Sequence, residues 1–256
     1  MTTTVDLDDG ELALVGRITV ASNATFVGRI GQTAVVYKPV AGERPLWDFP
    51  DRTLARREVA AYSVSEALGW GIVPRTWLRE GPLGPGMVQL WHEPDPEQDP
   101  VDLVDAGEVP GQGWRTVLEG SDQTGRAVAL VHEDTPALRR MAVFDVLVNN
   151  ADRKGGHVLP LADGGRLGVD HGVTFHVDPK LRTVLWGWVG EPLTPEEVAG
   201  VERVRAGLAG ALGNRLAELL DDDELDALAG RCERLLRDGV FPDHDSDMPA
   251  VPWPLF

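Results

Sequence analysis

The stretch from Met141 to Gly172, MAVFDVLVNNADRKGGHVLPLADGGRLGVDHG, leaves the chain few ways to fold. Helical spacing of apolar residues runs from Pro136 to about Val148, with Asp134 or Thr135 at the cap and Pro136 in the first helical position. Asn149, Asn150 and Asp152 close that helix. A short basic, glycine-rich turn carries Arg153, Lys154, Gly155 and Gly156, and His157 opens the next segment. Val158 to Leu161 and Arg166 to Val169 are short apolar runs around Asp163-Gly164-Gly165, which spells a β-hairpin. Closing that hairpin brings His157 and Asp170 side by side at its open end.

An Asp near Gly commonly caps backbone amides in a turn, and Asp152 and Asp170 are each open to that ordinary use. Alternatively, Asp152 faces a substrate hydroxyl while His157 and Asp170 hold a divalent cation on nucleotide phosphates. The order base, metal ligand, hairpin, metal ligand is that of phosphoryl transfer in kinases, and the spacing favours this second reading. Asp145 shares a helix face with Leu138, Met141, Ala142 and Val148, as either a buried anchor for the turn or an edge residue in water.

Asn150-Ala151-Asp152-Arg153-Lys154 followed by His157, then Val169-Asp170-His171-Gly172, resembles the catalytic loop and metal-binding motif of phosphatidylinositol 3- and 4-kinase-like proteins and HipA-like bacterial kinases. An actinobacterial branch of that superfamily is the most similar, and the resemblance spans about residues 20 to 175. It implies an α+β, two-lobed protein-kinase-like fold, with a β-rich, nucleotide-binding N-terminal lobe over residues 1–91. A reduced helical C-terminal lobe over residues 92–256 would carry the catalytic loop and metal site. It further implies ATP-dependent transfer of the γ-phosphoryl group to a hydroxyl of a protein Ser or Thr, of the enzyme itself or of a small molecule. Asp152 would position or deprotonate the acceptor, Lys154 would stabilise the migrating charge, and His157 and Asp170 would hold Mg2+ or Mn2+. Two positions depart from the pattern. The family usually has Asn where His157 stands, and the phosphoinositide enzymes usually have His where Lys154 stands. A Lys at that second place resembles eukaryotic-type protein kinases.

Upstream, the runs LALVGRITVA, FVGRIG and AVVYKP read as three antiparallel strands. Ser22 and Asn23 lie in the first connection, Ser22-Asn23-Ala24-Thr25, which either folds over ATP phosphates or is a plain polar turn. It is not a GxGxxG, so taken alone the plain turn is favoured. If Val36 points into the core, alternation puts Lys38 on the same inward face, where a Lys needs a partner or a phosphate. Thr53 to Leu68 reads as a helix capped by Thr53 and ended by Gly69, with Glu58 on its less polar face between Leu54 and Tyr62. Lys38 and Glu58 thus resemble the ion pair that orients α- and β-phosphates in kinases. The connection AGERPLWDFPD reads as exposed, variable surface. Two more strands, Val73 to Trp77 and Gly86 to Trp91, lead to a hinge where backbone groups near Gln89 and Trp91 would meet the adenine edge.

Residues 94–113 are acidic and proline-rich, a lid over the cleft or a surface connection, and two strands, TVLEG and AVALVH, follow. Val173 to His176 is a candidate activation segment. A helical stripe runs from Thr194 to Asp221, and a second helix from Asp223 to Asp238 ends at Gly239. His244 with Asp245 and Asp247 resembles a metal site only superficially. With 24 basic against 41 acidic residues the net charge is -17, which disfavours nucleic acid and stable association with anionic membranes. A lone Cys232 permits no internal disulfide, no apolar run reaches membrane-helix length, and the acidic N-terminus is unlike a secretory signal, so a cytoplasmic protein is expected. Two other classes remain open. One is a nucleotide-binding pseudokinase, favoured by His157. The other is a metal-dependent phosphohydrolase built from Asp152, His157, Asp170, His171 and His176, which leaves Lys38 and Glu58 without a role.

Overall fold

A computed structural model of the chain describes residues 6–19 and 21–256; residues 1–5 and Val20, which the expected N-terminal lobe and first strand include, lie outside the described residues. Strands β1 (Leu12–Ile18), β2 (Thr25–Ile30), β3 (Thr33–Pro39), β4 (Thr76–Gly81) and β5 (Gly84–Leu90) form an antiparallel sheet in the order β1-β2-β3-β5-β4. Helix α1 (Leu54–Leu68) connects β3 to β4. The inward residues of β3 are Val35 and Tyr37, not Val36; they pack with Leu12, Ile30, Trp77 and Val88. Lys38 does share a face with Val36, as alternation requires. That face also carries Met87, the cross-strand partner of Lys38, which packs on Ala55 and Val59 of α1. The helix therefore competes for the Lys38 face, and the sheet keeps its own core on the other.

Thr53 stands before α1 but does not cap it. Its hydroxyl donates to the Pro50 carbonyl, while the Glu43 carboxylate accepts from the Leu54 and Ala55 amides at 3.2 and 2.9 Å. A negative charge there also complements the helix dipole. Gly69 ends the helix at φ 70°, a conformation that suits a residue without Cβ. The connection containing Glu43 is largely exposed, as expected, and these bonds tie it to the helix. Asp48 pairs with Lys180 at 2.8 Å and Phe49 is buried edge-on to the His176 ring, while Trp47 stands exposed beside Lys180.

Beyond β5, strands β6 (Val101–Asp105), β7 (Trp114–Ser121) and β8 (Ala127–Glu133) form a second antiparallel sheet, ordered β6-β8-β7. The acidic segment hid β6, because Val101 is its one fully buried residue and leaves no alternation to read. Of the two expected caps of helix α2 (Pro136–Val148), Asp134 and Thr135, it is Thr135 whose hydroxyl accepts from the Leu138 amide at 3.3 Å. The hairpin of β9 (Val158–Pro160) and β10 (Arg166–Gly168) sets Val158 opposite Gly168. Helix α3 (Pro195–Leu208) opens on a capping box between Thr194 and Glu197. The stripe predicts one helix to Asp221, but the chain breaks at Ala209-Gly210 and resumes as α4 (Ala211–Leu216), where the glycine-rich sequence weakens helix propagation. Helix α5 (Asp222–Asp238) ends at Gly239 as expected. The main core gathers α1, α2, α3 and α5 around Val64, Phe144, Leu147, Trp188, Val204 and Leu228. Among the described residues no helix is long and apolar enough to cross a membrane.

One buried residue of this framework carries a pH dependence. His132 on β8 donates through Nδ1 to the Glu133 carbonyl at 2.8 Å and accepts through Nε2 from the Gly187 amide at 3.1 Å, so the ring is neutral. Burial pushes its pKa down to about 4. The unfolded chain, near 6.5, takes up the proton first, so stability is full above about pH 6.5 and falls as pH drops towards 4. Denaturant titrations should lose about 2 kcal/mol from this group between pH 7 and pH 5. His132→Gln keeps an acceptor for Gly187 and cannot titrate; it should flatten the decline, and an unchanged slope would assign that loss to other groups.

Candidate functional site

The site is built outwards from one buried pair. Asp145 on α2 accepts from Arg153 Nε at 3.0 Å and from its terminal nitrogen at 2.9 Å, from Asn150 Nδ2 at 2.9 Å and from Thr183 Oγ1 at 3.1 Å. It is wholly buried, so it is the anchor and not an edge residue. Arg153, which the sequence places in a basic turn, is equally buried. One terminal nitrogen donates to the carbonyls of His157 and Val169, both at 3.2 Å, and the other donates to Nε2 of His171 at 2.6 Å. His157 precedes β9 and Val169 follows β10. Arg153 therefore clasps the open end of the hairpin from inside.

In front of that clasp the titratable groups converge. His157 Nδ1 donates to the Asp152 carbonyl at 2.9 Å, which leaves the Nε2 lone pair 3.6 Å from Asp170 Oδ2. Burial lowers the His157 pKa and keeps the ring neutral. Asp170 sits at φ 61°, a left-handed conformation that Asp tolerates better than most residues, with its side chain 51% exposed. Lys38 Nζ donates to Asp170 Oδ1 and to Glu58 Oε1, both at 2.6 Å. Burial opposes the Lys38 charge, but Asp170 and Glu58 outweigh it and hold the ammonium pKa above its ordinary value. In return the Lys38 ammonium holds the Asp170 carboxyl well below the usual carboxylate range. The second oxygen of Glu58 accepts from the His171 amide at 2.9 Å. Asp152 is half-buried, and burial raises its pKa; Lys154 Nζ, 3.3 Å from Oδ2, offsets part of that rise.

Other expected residues lie elsewhere or do other work. The Ser22-Asn23-Ala24 turn falls at the Lys38 end of the sheet, because Phe26 pairs with Tyr37. It is tied back by Ala24 N to Gly42 O at 3.1 Å and by Arg44 N to Asn23 Oδ1 at 2.9 Å, with Ser22 exposed. Gln89 is buried and donates to Thr76 Oγ1 at 2.8 Å. The amides of Leu90 and Trp91 donate to Arg75 O and Ala34 O at 3.0 and 3.1 Å. Because β5 is an interior strand, these donors are used within the sheet and not at an adenine edge, and the Trp91 indole turns to Glu93 at 2.8 Å. His171 Nε2 is taken by Arg153, and His176 leans on Phe49 and accepts from the Asp178 amide. His244 stands edge-on to Trp186. No group of three His, Cys, Asp or Glu suited to a metal occurs among the described residues. A separate cavity, lined by Leu181, Arg231 and Leu235, takes no part in this centre.

The motif includes Arg153 in a basic turn without marking it as buried, and one further site-forming residue gives no sequence signal. Arg57, the neighbour of Glu58, is buried, donates to the Thr174 carbonyl and pairs with Glu224 at the start of α5. An arginine on a helix is ordinarily solvent-facing, so nothing local marks a buried one.

The donor set of Asp170 and His157 fits a divalent cation held largely by phosphate and water. It offers one hard carboxylate and one neutral imidazole whose other nitrogen is anchored, rather than a protein cage. Sheet, crossing helix, strand lysine with helix glutamate, and the hairpin that presents Asp170 together define a two-lobed α+β protein of kinase-like fold. The chain belongs to the family of Protein Rv2133c of Mycobacterium tuberculosis (strain ATCC 25618 / H37Rv), to which it is 51% identical over 271 residues, spanning 98% of this chain and 94% of that protein. The crystal structure of a Helicobacter pylori proinflammatory kinase, CtkA, is similar over 93% of this chain and 95% of its own, with a TM-score of 0.47 and 12% identity. No family model matches the chain.

If the Arg153 clasp is what shapes the site, Arg153→Met should destabilise the protein by about 3–5 kcal/mol, since it leaves the Asp145 carboxylate buried without its cation. Urea denaturation measures this. A loss below about 1 kcal/mol, the scale of a single hydrogen bond, would show that the pair is not the anchor.

Proposed function

We propose that this chain is an ATP-dependent kinase that transfers the γ-phosphoryl group to a hydroxyl. The observation that carries the reading is Lys38 on β3, bonded at 2.6 Å to both Glu58 of α1 and Asp170 beyond the hairpin. A strand cation steadied by a helix carboxylate and facing a metal-binding carboxylate is what placing nucleotide phosphates requires. Lys38 would take the α- and β-phosphates, with Glu58 holding it in place. The Ser22-Asn23 turn would cover the phosphates from the end of the sheet. Asp170 and His157 would hold Mg2+ or Mn2+, which when bound neutralises phosphate charge.

Asp152 would orient the acceptor hydroxyl and receive its proton. Its raised pKa makes it a better proton acceptor than an ordinary Asp. Lys154, beside it, supplies positive charge to the migrating group. The acceptor is a protein Ser or Thr, this chain's own included, or a small hydroxylated molecule. The excess of acidic over basic residues speaks against nucleic acid and anionic membranes as partners, and we assign a cytoplasmic setting. A nucleotide-binding pseudokinase is the second reading. It is favoured by His157 standing where the resembled kinases usually place Asn. The phosphohydrolase reading loses its support, since His171 and His176 are engaged away from Asp170.

Incubation with γ-labelled ATP and Mg2+ or Mn2+ should place label on an acceptor. Asp170→Asn should reduce that transfer at least about a hundredfold with the fold intact by circular dichroism, because a neutral amide is a poor partner for a hard dication. Label appearing only as free phosphate would point to a hydrolase, and binding without turnover to a pseudokinase.

The metal preference is a separate prediction. Imidazole suits manganese better than magnesium, which prefers oxygen ligands. The ratio of Mn2+- to Mg2+-supported activity should exceed one and should fall by about tenfold in His157→Asn. An unaltered ratio would retire His157 as a ligand.

A further inference from the structure

The turn that carries Lys154 and His157 is pliable by composition, because Gly155 and Gly156 have the widest backbone freedom of any residues. His157 at its end is held by its Nδ1 bond to Asp152 O and by the Arg153 and Val169 bonds to its carbonyl. Between Lys154 and Val158, however, the turn itself makes only the bonds of His157 N to Lys154 O at 3.1 Å and of Val158 N to Gly155 O. A second restraint comes from a remote part of the chain. Residues 250–256 return across this region as a strap. Ala250 O accepts from Thr183 N at 3.1 Å and from the Trp186 indole at 2.8 Å, and Leu255 O accepts from Gly155 N at 2.8 Å. The Phe256 ring occupies the space that a Gly155 side chain would need: a Cβ there would lie 2.6 Å from Phe256 Cδ1 and 3.2 Å from Cζ. Gly155 is buried under that ring, yet Phe256 itself remains 53% exposed. The ring covers the turn and is not sunk into a core.

We infer that Leu255 and Phe256 are positioning residues for phosphoryl transfer, holding the Gly155 backbone from outside and thereby fixing the Lys154 ammonium and the His157 Nε2. The inference rests on the kinase reading of those two side chains. Lys38 and Glu58 are held by other bonds, to Asp170 and to the His171 amide. The strap therefore acts on the catalytic step and not on the anchoring of nucleotide by Lys38. A displacement on the order of 1 Å is enough to cost about a hundredfold in rate.

The test uses the full chain. Phe256→Ala should lower kcat by about tenfold to a hundredfold, with metal-free affinity for a fluorescent nucleotide unchanged and the unfolding midpoint close to that of the unaltered chain. Gly155→Ala should be impaired as well, because its methyl collides with the ring. The double variant should regain part of the loss, because removing the ring makes room for the methyl. Unaltered kcat in Phe256→Ala, strictly additive losses, or activity that declines only in step with the unfolding midpoint would each overturn the inference. Should the unaltered chain transfer no phosphoryl group, the kinase reading fails by itself. The strap is then judged on hydrogen exchange of the Gly155 amide in Phe256→Ala. Faster exchange at equal global stability would support the restraint, and unaltered exchange would overturn it.

Discussion

Burial of Arg153 against Asp145 is the constraint on which the centre of this molecule depends. Taking both charges out of water costs several kcal/mol per ion, and the cost is offset only when the remaining donors and acceptors find partners. Here each nitrogen of the guanidinium has an acceptor: the Asp145 carboxylate, the His157 and Val169 carbonyls, and the neutral His171 ring. All of them but the Asp145 carboxylate, which stands on α2, belong to the entry and exit of one hairpin. A slip in its register would strand a donor in the interior, so polar satisfaction sets the spacing of His157 and Asp170 more strictly than apolar packing would.

Helix α1 carries this order to the other lobe. Its Arg57 reaches the Thr174 carbonyl and Glu224, while the adjacent Glu58 reaches Lys38 and the His171 amide. Two neighbouring residues of one helix thus hold the segment after Asp170 from both directions, and Lys180 with Asp48 adds a tie farther out. The two carboxylates on Lys38 are not equivalent. Glu58 is buried and engaged on both oxygens, whereas Asp170 is half-exposed and gives Lys38 one oxygen while the other faces His157. That asymmetry supports the proposed division of roles, in which Glu58 would remain with the lysine and Asp170 would share itself with a cation.

The sequence by itself determined what is written locally. A cap at Asp134 or Thr135, a helix start at Thr194, Gly69 and Gly239 as terminators, the Asp163-Gly164-Gly165 hairpin and the meeting of His157 with Asp170 all follow from turn chemistry and periodicity within a few residues, and each is present, with the structure choosing Thr135. The Lys38–Glu58 pair was also legible, because one strand, one connection and one helix face suffice to bring them together. Where packing overrides local text, the reading failed. Glu43 displaced Thr53 as the cap of α1, β6 showed no alternation, and the helical stripe after Thr194 ran through a break it could not reveal. Only the tertiary structure decided that Val35 and Tyr37, and not Val36, fill the sheet core. It alone placed Arg57 and Arg153 inside and returned Leu255 to the Gly155 amide. For Arg57 and for the bond of Lys38 to Asp170 the physical reason is separation, 167 and 132 positions, since a contact at that range leaves no mark on the residues near either partner. Arg153 has its side-chain partners within 18 positions, and there the reason is that a basic residue in a polar turn reads the same whether solvated or buried.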